Sequence, residues 1–293
     1  MSRMSSCHAP NDRAALNDRA RRPATAHPAG EGSLARPGRA RRPLVTSLAG
    51  LLLGTLVAFA LYGCGAAAEE IRRAEQAEFH YKLANNYFYD RNMVMAMREG
   101  YTALEHDPDH PDTHHLLGFI MFGRKQYADA IMHFQKAIAG RDKFYDAIAN
   151  LGAVFLAQKR WEEAIEQYEQ LTREQLYPTP DLAHANLGWA LFNLKRYGEA
   201  REQYRLALFL NPQLCLAYNN LGLLYEATGD YGEAIESLER AAEQCSKYAE
   251  PHFHLGRLFL KTGRHGDASR AFSRCHELEP KTSLGRRCEA RKF

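Results

Sequence analysis

The sequence predicts an all-α solenoid of six helix-turn-helix units over residues 77–282, closed by a short C-terminal capping segment at 283–293. Three observations carry this expectation. Leu-Gly or Leu-Ala recurs at Leu83-Ala84, Leu117-Gly118, Leu151-Gly152, Leu187-Gly188, Leu221-Gly222 and Leu255-Gly256, spaced 34 residues apart except for one step of 36. Twelve residues after each small residue stands an alanine, at Ala96, Ala130, Ala164, Ala200, Ala234 and Ala268. Within each unit, apolar residues at three and four spacing are interrupted by a polar turn, as in AYNNLGLLYEATGDYGEAIESLERAAEQ. A fixed period of this length marks stacked supersecondary units, each burying its apolar face against the next.

The chain before the repeats divides by composition. Residues 1–43 hold nine arginines against Asp12, Asp18 and Glu31, a balance of +6, with few large apolar residues. Such a segment does not bury enough surface to offset chain entropy, so it reads as disordered or as a mis-assigned n-region. Leu44 to Gly63 carries no charge for 20 residues and follows Arg39, Arg41 and Arg42, the layout of a positive n-region before the h-region of a signal. The same length suffices for a helix to span a bilayer. Leu61-Tyr62-Gly63-Cys64 resembles the bacterial lipobox, although Tyr62 stands where a small residue is usual. That resemblance implies cleavage before Cys64, lipid on its thiol and, with Gly65 rather than aspartate next, sorting to the periplasmic face of the outer membrane. The competing reading is an uncleaved membrane helix that ends in a free cysteine. Residues 64–76 are a lipid-tethered linker, at most about 40 Å long if extended and about 18 Å if helical.

Inside each repeat the small residue and the later alanine let two helix backbones approach closely. A large residue three positions after the small one fills the space between them: Tyr87, Met121, Phe155, Leu191, Tyr225 and Phe259. Pro108, Pro212 and Pro280 stop the second helix, since proline lacks a donor and clashes with the preceding turn. These features resemble the tetratricopeptide repeat, in units 77–110, 111–144, 145–180, 181–214, 215–248 and 249–282. The third unit holds two extra residues at Tyr177-Pro178-Thr179-Pro180, where a local kink is expected. The tail SLGRRCEARKF is charged and suits the polar cap that a solenoid needs over its last apolar face.

Residues 44–293 hold 29 basic and 32 acidic residues, which argues against a nucleic-acid footprint. No catalytic constellation is present. Gly63-x-Gly65-x-x-Ala68 follows a signal-like run rather than a strand, and no phosphate-binding loop, HExxH or Gly-x-Ser-x-Gly occurs. No enzyme activity and no cofactor are expected. HDPDHPDTHH gathers His106, His110, His114 and His115 with three aspartates around a turn, but lacks cysteines or a fixed helical pair, so no metal site is assigned. His114 stands where the repeat consensus puts a large packing residue.

By resemblance to the repeat family, positions 5, 9, 12 and 13 of each first helix face the concave side. Here they supply Tyr81, Asn85, Phe88, Tyr89, Phe119, Phe122, Trp189, Phe192, Asn193, Leu223 and Phe253. Position 6 supplies Asn150, Asn186 and Asn220, whose amides suit the main chain of an extended ligand. An apolar concavity of this kind points to a protein or peptide partner. The lysines of the carboxylate clamp of chaperone-binding relatives are missing, with Tyr81, Leu116 and Asp146 at clamp positions. Cys215, Cys245, Cys275 and Cys288 all lie in the last third. Cys215 opens the first helix of repeat five and Cys245 closes its second, while Cys275 lies on the last repeat helix and Cys288 on the tail. The expected pairs are therefore Cys215 with Cys245 and Cys275 with Cys288, against a reading of four small buried thiols.

A signal and lipobox followed directly by six such repeats resembles the outer-membrane pilotin lipoproteins of type IV pilus systems. The resemblance implies a protein partner, the secretin through which the pilus passes, whose assembly or insertion such proteins assist. Two alternatives stay open: a lipoprotein assembly factor for another envelope complex, and an inner-membrane-anchored scaffold.

Overall fold

The protein is described from a computed structural model that covers residues 47–291, with side chains from residue 68. The reading of residues 1–43 lies outside the described residues, as do the side chains of the apolar segment and of Cys64. Among the described residues there are thirteen helices and no strand. They are α1 (Ser47–Tyr89), α2 (Met93–His106), α3 (Pro111–Gly123), α4 (Tyr127–Gly140), α5 (Tyr145–Ala157), α6 (Trp161–Thr172) and α7 (Pro180–Asn193). There follow α8 (Tyr197–Leu210), α9 (Cys215–Thr228), α10 (Tyr231–Gln244), α11 (Ala249–Lys261), α12 (His265–Leu278) and α13 (Ser283–Glu289). By its contacts the chain divides into residues 1–58 and a unit from Phe59 onward that holds every repeat. Residues 64–76 are helical, as part of α1.

From α3 onward each repeat is one packed hairpin: α3 with α4, α5 with α6, α7 with α8, α9 with α10 and α11 with α12. In the first repeat the end of α1 shares an apolar cluster with α2 and α3, through Ala84, Ala96, Leu116 and Ile120. The helix pairs close because a glycine on the first helix meets a large side chain sixteen residues later on the second. Gly118 faces Phe134, Gly152 faces Tyr168, Gly188 faces Tyr204, Gly222 faces Leu238 and Gly256 faces Phe272. A Cβ at Gly188 would lie 2.6 Å from the Tyr204 ring, and one at Gly118 would lie 2.8 Å from Phe134, closer than any real contact. In the first repeat the small and large roles change hands. Ala84 takes the glycine's place, and Gly100 stands where the ring would be, admitting Leu117 of the next repeat to 3.0 Å of where its own Cβ would be. The six alanines of the second helices are all 0% exposed, so the second backbone also comes in without a side chain to hold it off.

Turns and stops follow from local chemistry. The residue at the turn between the two helices takes a left-handed conformation in every repeat: Arg91, Lys125, Lys159, Lys195, Gly229 and Gly263, with φ between 60° and 91°. Only the last two repeats place glycine there, where it costs nothing sterically. Helices α2, α8 and α12 end at His106, Leu210 and Leu278, each two residues before its proline. The extra residues of the third unit lie in the loop between α6 and α7. That loop is anchored rather than loose: Tyr177 is buried, its ring set edge-on to Tyr145 at 5.8 Å. The Tyr145 hydroxyl donates to Glu174 at 2.8 Å.

The last third is covalently closed. Cys215 at the start of α9 is bonded to Cys245 at the end of α10, and Cys275 of α12 to Cys288 of α13, with Cα atoms 6.1 and 6.0 Å apart. Helix α13 packs on α12 and α11, its first turn capped by the Thr282 hydroxyl accepting from the Gly285 amide at 3.1 Å.

Two measurements test this packing. Gly188→Val is expected to destabilise by about 1–3 kcal/mol in chemical denaturation through overpacking against Tyr204, whereas Gly198→Ala, whose Cβ meets nothing within 4 Å, leaves stability level or slightly raised. Equal effects from the two would show that the glycine contact is not limiting. Reduction of the purified chain is expected to lower the unfolding midpoint, since cross-links closing separations of 30 and 13 residues contribute roughly 3–4 kcal/mol each at most. Non-reducing peptide mapping that finds free thiols at all four positions would overturn the pairing.

Candidate protein-binding groove

First helices of successive repeats touch one another, α3 with α5, α5 with α7, α7 with α9 and α9 with α11, whereas no two second helices do among the described residues. The first helices therefore form a continuous inner layer, and side chains that leave its free side define a groove.

Two aromatic clusters stand along that layer. In the first, Phe88 of α1 meets Phe119 of α3 edge-on at 5.6 Å and Tyr89 at 5.7 Å. Tyr89 is 75% exposed and Phe119 is 44% exposed, an apolar surface too open to be a packing element. Phe122 extends it toward Tyr127 of α4, at 6.2 Å. In the second cluster Trp189 stacks on Phe192 at 5.5 Å with planes 22° apart, and Phe192 tilts against Tyr197 of α8 at 5.7 Å. The Asn193 amide donates to the Trp189 carbonyl at 2.8 Å. Tyr81, half-buried on α1, leans on His110 at 5.4 Å, and Asn85 and Leu223 are also half-buried.

Tyr127 and Tyr197 were not among the expected groove residues, which were drawn from first helices alone. Their signal is in the sequence: Tyr127, Trp161, Tyr197 and Tyr231 recur at repeat spacing, each opening a second helix.

Two expectations are corrected. The asparagines at position 6 are already engaged within the protein rather than wholly open to a ligand. Asn150 donates to Nε2 of His115 at 2.9 Å, Asn186 donates to the Tyr168 hydroxyl, and Asn220 is buried and accepts from Asn219 at 3.4 Å. Asn150 and Asn186 thus satisfy groups of the preceding repeat, whereas Asn220 is paired within its own helix. Phe253 is likewise not open to the groove. It is 3% exposed, edge-on to Phe272 at 6.1 Å and covered by the Arg287 guanidinium of α13 at 4.4 Å. The capping helix lies over the last repeat and brings its arginines onto this ring.

The histidines of the 106–115 segment do not converge on a common point. His110 accepts from the Thr113 amide at 3.2 Å through Nδ1 and faces Glu78 at 3.3 Å through Nε2. His114 is 1% exposed in its packing position, its Nε2–H donating to the Pro108 carbonyl at 2.9 Å. That assignment leaves His114 Nδ1 as an acceptor, so His133 Nδ1–H donates to it across 2.8 Å. Burial, reinforced by His114, pushes the His133 imidazolium down to about 4 from the usual 6.5, and burial with Arg257 and Arg287 nearby does the same at His254. Among the described residues no group of three or more His, Cys, Asp or Glu side chains is placed to hold a metal ion.

Sequence profiles described as tetratricopeptide repeat match residues 121–176, 149–214 and 213–280, together more than half of the chain. The chain belongs to the tetratricopeptide-repeat family. Among individual proteins it is similar to the type IV pilus assembly protein PilF of Pseudomonas aeruginosa, at 27% identity over 162 residues, 53% of this chain and 64% of that protein. The match thus spans less than two thirds of that relative's length. The solved structure of Pseudomonas aeruginosa PilF superposes with a TM-score of 0.61 at 23% identity, covering 75% of this chain and 99% of that one. PilW, described as a widely conserved type IV pilus biogenesis factor, superposes with 0.64 at 18% identity, covering 72% and 97%. The Cut9-Hcn1 tetramer of APC/C reaches 0.61 at 18% identity, covering 74% of this chain and 42% of that one. At these identities the superpositions establish a common fold.

The buried neutral histidines set a pH dependence. With folded values of about 4 and ordinary values of 6.5, the unfolded chain binds more protons in that window, so stability is full above about 6.5 and falls as pH drops toward 4. Melting curves at neutral pH and at about pH 4.5 should show this loss, and His133→Asn should reduce its slope. A slope unchanged by that substitution would remove His133 as a source.

Proposed function

We propose that this chain is a lipid-anchored protein-interaction scaffold, not an enzyme, acting as a pilotin at the periplasmic face of the outer membrane. Its partner in this reading is the secretin subunit of a type IV pilus system, whose assembly or membrane insertion it assists. The similarity of its repeat region to the pilus assembly protein PilF carries the reading. The lipobox-like segment ending at Cys64 supports it as an anchor, and the aromatic clusters, the first exposed at Tyr89 and Phe119 and the second half-buried, support it as a contact surface. The two disulfides suit an oxidising compartment such as the periplasm. A second reading keeps residues 44–63 as an uncleaved inner-membrane anchor, and it is favoured by the helix α1 running without a break through residue 64.

Cys64→Ala is expected to leave the precursor uncut, abolish labelling by a fatty-acid analogue and mislocalise the protein. Mass spectrometry that finds the mature chain starting before residue 64 without lipid would favour the inner-membrane anchor. Trp189→Ala combined with Phe192→Ala should retain helical content and location yet lose secretin capture and secretin multimers. Leu187→Asp, by contrast, places a charge at a position 4% exposed and should unfold the repeat. Normal secretin assembly by the aromatic double variant would move the contact off this groove.

A further inference from the structure

The far end of the groove differs in chemistry from its aromatic stretch. Residues 249–293 carry ten basic and five acidic side chains, whereas residues 44–248 carry nineteen basic and twenty-seven acidic ones. The structure concentrates part of that positive charge around one ring. The guanidinium carbons of Arg287, Arg291 and Arg257 lie 4.4, 5.5 and 6.0 Å from the centroid of Phe253. Arg257 comes from the inner-layer helix α11, and Arg287 and Arg291 descend from the capping segment, which the Cys275–Cys288 bond ties to α12. Lys261 follows one turn after Arg257, over the Tyr231 ring at 4.6 Å.

Three cations within about a Debye length repel one another unless an anion sits among them. Glu226 pairs with Arg257, its Oε1 3.3 Å from Nη2. All three arginines are exposed to solvent while the ring beneath them is 3% exposed. Arg291 donates through Nη1 to the Arg287 carbonyl at 3.0 Å and Arg257 through Nη2 to Glu226, so the Arg287 guanidinium and the remaining N–H groups of the other two are the ones left for a ligand, beside an aromatic ring. That is the geometry in which guanidinium groups take carboxylates with paired hydrogen bonds. Because Arg257 comes from α11, Arg287 from α13 and Arg291 from the turn after it, with Lys261 a turn further along α11, the arrangement fits several carboxylates in a row better than a single one.

We propose that Arg257, Arg287 and Arg291 form a docking site for an acidic peptide segment, rich in Asp or Glu side chains, of a partner protein lying in the groove. This goes beyond the pilus reading and holds for any protein partner.

The test uses the full chain in detergent and a short fluorescein-labelled, glutamate-rich peptide with an amidated end, measured by anisotropy. The expected result is saturable binding that weakens with salt, drops about tenfold, or about 1.4 kcal/mol, in Arg287→Gln with Arg291→Gln, and drops similarly in Arg257→Gln. Melting temperature should fall by no more than about 4 °C in each, as expected for loss of an exposed ring or ion-pair contact without loss of the fold. Arg270→Gln with Arg274→Gln, on α12, serves as the control for loss of charge alone and should bind as the parent does. Absence of binding, equal binding of the glutamine counterpart of the peptide, or an equal loss in the α12 control overturns the site. Arginine-dependent binding to phosphatidylglycerol vesicles, with none to the peptide, also overturns it and assigns the cluster to lipid headgroups instead.

Discussion

A glycine that must have no side chain because an aromatic or leucine side chain occupies its place is the contact on which this molecule is built. Each hairpin closes at one point, where the ring or leucine of the second helix lies on the bare backbone of the first. A Cβ at any of Gly118, Gly152, Gly188, Gly222 or Gly256 would stand 2.5–2.9 Å from the facing side chain. Protein interiors are packed too tightly to absorb such an overlap without moving a helix. The contact therefore fixes the distance between the two helices of a hairpin, and its recurrence gives successive hairpins the same internal geometry. The first repeat reaches a similar closeness by a different allocation, with alanine on the first helix and Gly100 on the second making room for Leu117 of its neighbour.

From that constraint the groove follows. With every hairpin closed alike, the first helices stack side by side and the second helices are held apart on the outside. Side chains on the inner layer then have two fates. Those directed between repeats become packing elements or satisfy one another, as Asn186 does with the buried Tyr168 hydroxyl, which in turn donates to the Ala149 carbonyl at 3.3 Å. Those directed away from the layer stay open, as Tyr89 and Phe119 do. Residue type alone does not separate the two fates, because an asparagine or a phenylalanine is at home in either.

That distinction marks the limit of what was legible in the sequence. Repeat length and the order of helices were readable because each rests on a local pattern: helical periodicity, a turn, a proline. The glycine-to-ring contact was half visible, since the small residues were found by their spacing while the large partners vary among Phe, Tyr and Leu and hide the regularity. Trp189 and Phe192 needed only helical spacing to be put side by side. Phe253 needed knowledge of where α13 goes, a tertiary fact set by the Cys275–Cys288 bond and the packing of the cap. The left-handed turn was likewise hidden, because four of six repeats place Arg or Lys at it instead of the glycine that announces such a conformation.

A shared fold says little about what such a solenoid binds, and the likeness to both pilus proteins and a subunit of APC/C makes that concrete. Specificity must come from how chemistry is distributed along the inner layer. Here the two ends differ. Toward α1 and α3 the surface is aromatic, neutral and exposed, which favours apolar side chains through area removed from water. Toward α11 and α13 it is crowded with guanidinium groups, which attract carboxylates over a longer range and orient them before contact. A ligand complementary to both ends is apolar at one and acidic at the other, and the same segment reversed meets repulsion or loses its apolar contacts. In the proposed groove such a difference would set a direction for a bound segment, and it arises from Arg257 and Lys261 of the last repeat together with the cap that folds back over it.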